Sequence, residues 1–101
     1  MTRIILRRGE TFRIRRPFPM PLAGWTVTAD VTLPGQVVQP LRVRVVDGGR
    51  AAFVTATATE TANWPLDEEF GGLPLRITAA RDGEVALADP LSIHILPGVP
   101  Q

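Results

Sequence analysis

His94 is the single histidine of the chain and stands two residues from Ser92 in Leu91-Ser92-Ile93-His94-Ile95. An imidazole beside a hydroxyl is raw material for proton transfer, but with no cysteine and no second histidine it cannot build a zinc site of the usual kind. Alternation turns His94 away from Leu91, Ile93 and Ile95, so the expectation is an exposed strand residue with no catalytic or metal-binding role. Asp67-Glu68-Glu69 places three carboxylates together, which would attract Ca²⁺ if carbonyl oxygens converged on them. No EF-hand spacing surrounds them. The readings left open are a solvated acidic loop, a salt-bridge partner for the basic end of a neighbouring copy, and a metal site. Without Cys, Lys or Tyr, the inventory of nucleophiles and general bases is nearly empty. No enzyme activity, metal or cofactor is expected.

The arginines are the stronger feature. All eleven cationic side chains are Arg, six of them within the first sixteen residues, although the formal net charge is only +1. Guanidinium groups make bidentate and stacked contacts at interfaces, while a GC-rich genome would give the same bias. Arg7 and Arg8 fall in an expected turn. Arg13, Arg15, Arg42 and Arg44 fall on outward strand positions. Solvated edge protection and a protein interface are the competing readings, and the lack of interleaved exposed aromatics argues against nucleic acid. Phe18, fixed between prolines in Pro17-Phe18-Pro19-Met20-Pro21, is the aromatic hardest to place in a core and is a candidate interface anchor. Trp25 and Trp64 are expected in the core, with a sugar-stacking platform as the alternative.

These residues must be carried by short strands. Ile4, Leu6, Phe12 and Ile14 alternate with arginines, broken by Arg7-Arg8-Gly9-Glu10, so a first strand split in two is predicted. The proline-rich segment 17–21 is an extended connector. Trp25, Val27, Ala29, Val31 and Leu33 alternate with polar residues, followed after Pro34-Gly35 by Leu41, Val43 and Val45, and the two segments form a hairpin. Asp47-Gly48-Gly49 is a tight turn. In Arg50 to Thr57 the inward set is ambiguous, and Phe53 is placed inward for its large apolar area. One helical turn near 58–63, capped by Thr57 or Thr59, ends at Pro65, with Trp64 plugging one end of the core. Leu73, Leu75, Ile77 and Ala79 form a strand, Asp82-Gly83 a hairpin turn, and Val85 to Ile95 the return, with Ile93 inward. Residues 97–101 read as an extended tail.

A length of 101 residues and 45% hydrophobic content suit one globular domain, 1–101. No apolar run approaches the ~20 residues of a membrane helix, and no signal-peptide pattern opens the chain, so a soluble protein without a membrane partner is expected. Turns at this spacing, without a helix long enough for a crossover, predict an all-β antiparallel Greek-key sandwich of about seven strands.

The order of short landmarks carries a resemblance: Arg-Arg-Gly-Glu-Thr-Phe from Arg7, Leu-Ala-Gly-Trp-Thr-Val from Leu22, Glu-Thr-Ala-Asn-Trp-Pro from Glu60, and Arg-Asp-Gly-Glu-Val from Arg81. Together, from about Arg7 to Ile95, they resemble the small immunoglobulin-like proteins encoded among tail genes of tailed bacteriophages, similar to the N-terminal domain of the baseplate upper protein family. The segment Leu66 to Gly72 departs from that pattern, where a Gly-aromatic strand opening is usual. The resemblance implies an immunoglobulin-like sandwich and a non-enzymatic virion part. It would be made in the bacterial cytoplasm and built into the tail, baseplate or fibre-attachment region in several symmetric copies. Its partners would be other virion proteins, not a small-molecule ligand. A capsid decoration protein and a host-surface or carbohydrate-binding module using Trp64 or Phe18 are the alternatives.

Overall fold

Period-two alternation becomes strands wherever one face can be covered, and the break at Arg8-Gly9 decides how the first strands are used. The computed structural model describes residues 2–67, 71–89 and 91–98. Among the described residues there are eight strands: β1 (Thr2–Arg7), β2 (Phe12–Pro17), β3 (Thr26–Leu33), β4 (Val37–Val46), β5 (Ala51–Ala56), β6 (Leu73–Arg81), β7 (Glu84–Leu87) and β8 (Leu91–Leu96). A single helical turn, α1 (Ala58–Thr61), follows β5. One layer runs β1-β8-β6-β3-β4, with β7 also paired to β6, and the second runs β4-β5-β2. β4 belongs to both. Its first half pairs β3 through Val37–Leu41 and its second half pairs β5 through Arg42–Val46.

The split first strand changes layers. β2 lies antiparallel to β5, whereas β1 runs parallel to β8, with Ile4 opposite Ile93. The expectation of a wholly antiparallel sandwich is corrected here. Gly9, at φ +89°, turns the chain through a conformation that a side chain resists, and Glu10 Oε1 accepts a 2.6 Å bond from Arg7 N. Having crossed at this turn, β1 and β2 sit on edges of different layers, and β1 falls beside the outer edge of β8. The Asp82-Gly83 hairpin forms as predicted, with both residues at positive φ.

Between the layers lies one core. Phe12, Val31, Trp64, Leu75, Ile77 and Ile93 are buried in it as expected. Trp25, Val27 and Val43 face the core but are only partly buried, because they lie towards its rim. Trp25 is shielded by the Arg81 guanidinium, 4.6 Å from its ring centroid. Phe53 points outward instead. Its neighbours Ala52, Val54 and Ala56 are inward because β5 pairs Val54 with both Val43 and Ile14, and pairing register outweighs the apolar area of one ring. Phe18 is 6% exposed, in the core. Exposed prolines on either side hold the chain extended, and Phe18 N donates to Arg50 O at 2.9 Å, so alternation drives the ring inward.

Trp64 is the best-anchored side chain. It is 0% exposed, meets Phe12 edge-on at 6.2 Å, and its indole N–H donates to Gln39 Oε1 at 3.1 Å. Arg8 donates two bonds to the Trp64 carbonyl, at 2.8 and 3.2 Å. Thr61 Oγ1 donates to Glu10 O at 2.7 Å. Thr57 caps α1, accepting from Glu60 N while Glu60 accepts from Thr57 N, a reciprocal capping box. At the far end, Arg8 N donates to Leu96 O. Of the expected tail, Pro97 and Gly98 lie outside any strand, and residues 99–101 lie outside the described residues.

Trp64→Ala should cost about 3–5 kcal/mol, the range for emptying an aromatic core site, whereas Val85→Ala on the exposed face should stay within about 0.5 kcal/mol. Guanidinium-chloride unfolding of the two variants checks the difference.

Candidate functional site

Two surfaces, on opposite outer faces, gather polar chemistry. On the second layer, pairing sets Arg13 and Arg42 on either side of Thr55, and Arg15 and Arg44 on either side of Phe53. Four of the sequence-predicted interface arginines therefore share one face, around a half-buried aromatic ring. The Arg44 guanidinium lies 5.6 Å from the Phe53 ring centroid. Arg15 pairs with Asp47 and Arg42 with Glu60, and among the described residues no carboxylate pairs with Arg13 or Arg44. Two carboxylates against four guanidinium groups leave the face net positive.

The other predicted interface residues are elsewhere. Arg8 is spent on the Trp64 carbonyl, Arg7 is exposed at the layer-crossing turn with Nη1 3.5 Å from Pro97 O, and Phe18 is internal. With Trp64 and Phe18 both buried, neither offers a ring face to a sugar. Trp25, the other tryptophan considered as a sugar platform, is partly buried with the Arg81 guanidinium 4.6 Å from its ring centroid.

Glu60 links the face to the fold. Its carboxylate accepts from Thr57 N at 2.8 Å, from Arg42, and from Gln39 Nε2 at 3.3 Å. The backbone hydrogen bond from Thr57 is the main cause that holds its pKa below the ordinary glutamate value. Partial burial opposes this, and Arg42 adds to the lowering.

On the first layer, Ser92 and His94 point outward from β8 beneath the segment that follows Trp64. Ser92 Oγ lies 2.9 Å from His94 Nε2, and His94 Nδ1 lies 2.6 Å from Asp67 Oδ1. The exposed-strand expectation for His94 is corrected. Its side chain is 19% exposed and bonded at both nitrogens. Asp67 likewise leaves the expected solvated loop to hold the imidazole, while Glu68 and Glu69 lie outside the described residues. Gly72 closes over the pair so tightly that a Cβ there would sit 2.8 Å from His94 Cε1 and 3.0 Å from Ser92 Cβ. Arg3, Gly72, Pro74, Ser92 and His94 line an open depression of about 520 Å³. The sequence shows the i, i+2 serine and histidine and the Gly71-Gly72 pair. It does not show that a carboxylate 27 residues away folds over them.

No protein-family model matches the sequence, and no curated protein matches it. Among solved structures, the chain is similar to one in a crystal structure of a chicken TCR, with a TM-score of 0.67 at 10% identity. The match covers 99% of this chain and 55% of that one, so the chain spans about half the length of that solved chain. At that identity the likeness shows the fold alone: an immunoglobulin-like β-sandwich.

Because the folded pKa of Glu60 is lowered, its contribution to stability is present above the unfolded value, about 4.3, and is lost as pH falls through the folded value. Chemical denaturation of wild type and Glu60→Gln should therefore show a gap at pH 7 that shrinks by pH 3. A gap unchanged across that range would remove the assignment.

Proposed function

We propose that the chain is a structural adaptor of a tailed-phage particle, seated in the tail, baseplate or fibre-attachment region, and that it docks on other virion proteins through the arginine face. The resemblance of its landmarks supports the setting. One observation carries the docking surface: Arg13, Arg15, Arg42 and Arg44 converge around Phe53 on a single sheet face. Arginine with an aromatic ring is the pairing enriched where protein interfaces are strongest. A partner segment bearing carboxylates would find two guanidinium groups, Arg13 and Arg44, that pair with no carboxylate among the described residues, each able to make paired hydrogen bonds to it. β2, the outer strand of this layer, has one unpaired edge, and its arginines discourage uncontrolled strand addition while leaving the face open.

The test is incorporation. The chain should be present in stoichiometric amounts in particles purified from a lysate of the phage that encodes it, and Arg13→Glu with Arg44→Glu should lower its incorporation at least ~10-fold, since like charges set opposite carboxylates weaken association by more than 1 kcal/mol. Circular dichroism of the variant establishes that it folds. Particles that lack the chain, or that take up the variant as fully as wild type, refute the proposal.

A further inference from the structure

Ser92, His94 and Asp67 form a relay with the polarity that nucleophilic catalysis needs. The Asp67 carboxylate can only accept, so in the neutral ring Nδ1 carries the proton towards Asp67, and Nε2 is left as the acceptor for the Ser92 hydroxyl. Both contacts are within the range for a working nucleophile and base, and the base is oriented by its third member. The ring is also sterically fixed. Gly72 packs against its Cε1–Nε2 edge at a separation that excludes even a methyl group. Ser92 is 8% exposed and lines the depression, whose one permanently charged lining group among the described residues is Arg3, the register partner of Ser92 on β1.

We infer that Ser92 is an activated nucleophile towards small acyl esters, with His94 as its general base and Asp67 as the positioning residue. Ser92 Oγ attacks the ester carbonyl carbon, forming a C–O bond as its proton passes to His94 Nε2. The tetrahedral adduct collapses, the bond to the alcohol oxygen breaks, and the departing alkoxide takes the proton from His94. Water then attacks the acyl-Ser92 carbonyl, giving its proton to His94. The second tetrahedral adduct collapses, the bond from the acyl carbon to Ser92 Oγ breaks, the acid leaves, and Oγ takes the proton back from His94. Arg3 supplies the positive charge at the depression where the carbonyl oxygen becomes negative. The site lies on the face opposite the arginine cluster, so a docked subunit need not cover it.

Composition makes the experiment clean. Ser92 is the only serine, and the chain has no cysteine, lysine or tyrosine to compete for an acylating or phosphonylating reagent. A fluorophosphonate should add once to the full chain, at Ser92 by tandem mass spectrometry, and p-nitrophenyl acetate should be hydrolysed above background. Ser92→Ala should abolish both, and His94→Gln should slow adduct formation at least ~100-fold. Asp67→Asn should slow it ~10²- to 10⁴-fold and remove the low-field Nδ1 proton resonance, which is unambiguous with one histidine. Unchanged unfolding midpoints identify variants that retain the fold. Wild type reacting no faster than Ser92→Ala, an adduct found on threonine, or Asp67→Asn reacting at the wild-type rate would each overturn the assignment.

Discussion

The burial of Trp64 is the constraint on which both surfaces depend. Its indole touches Phe12 of one layer, bonds to Gln39 on the half of β4 that belongs to the other, and its carbonyl is held by Arg8 at the crossing between β1 and β2. One residue, through its indole and its carbonyl, thus ties together three parts of the chain that are far apart in sequence. Pro65, Leu66 and Asp67 follow directly, so the position of the carboxylate over His94 is set three residues from this anchor. On the other side, the capping box of α1 places Glu60 against Arg42.

Much of the architecture is written in local pattern. β3, β6, the Asp82-Gly83 hairpin and the Thr57-capped turn follow from alternation and turn chemistry, because each is decided by residues within about ten positions. Phe53 and Phe18 show where that reasoning ends. Neither ring follows its own hydrophobicity or its local setting, because the direction of each is fixed by pairing partners: Val43 and Ile14 flank Val54, and Arg50 receives the amide of Phe18. The parallel β1–β8 pair was hidden for the same reason. Nothing in Thr2–Arg7 indicates which layer the strand joins after the Gly9 turn.

The surfaces were legible in unequal measure. Four arginines at outward positions were visible as such, but their convergence needed β5 to lie between β2 and β4, with the half-buried Phe53 at its centre. The Ser92–His94 adjacency was visible too. What completes it is the Asp67 carboxylate bonded to the ring, with Gly72 so close against the same ring that a Cβ would clash, and long-range packing of that kind leaves no periodic trace.

The parallel pairing of β1 with β8 gives the sandwich a mechanical direction. Six residue pairs, from Thr2–Leu91 to Arg7–Leu96, align β1 with β8 start to start, so that the start of β1 and the end of β8 lie at opposite ends of the pair. Tension applied at those two ends pulls the strands lengthwise past each other. All their hydrogen bonds then bear load together, in shear, and do not open one by one as in an unzipping hairpin. Resistance to force is a property of the unfolding barrier and not of equilibrium stability. A small domain without disulfides can therefore stay rigid when its two ends are drawn apart.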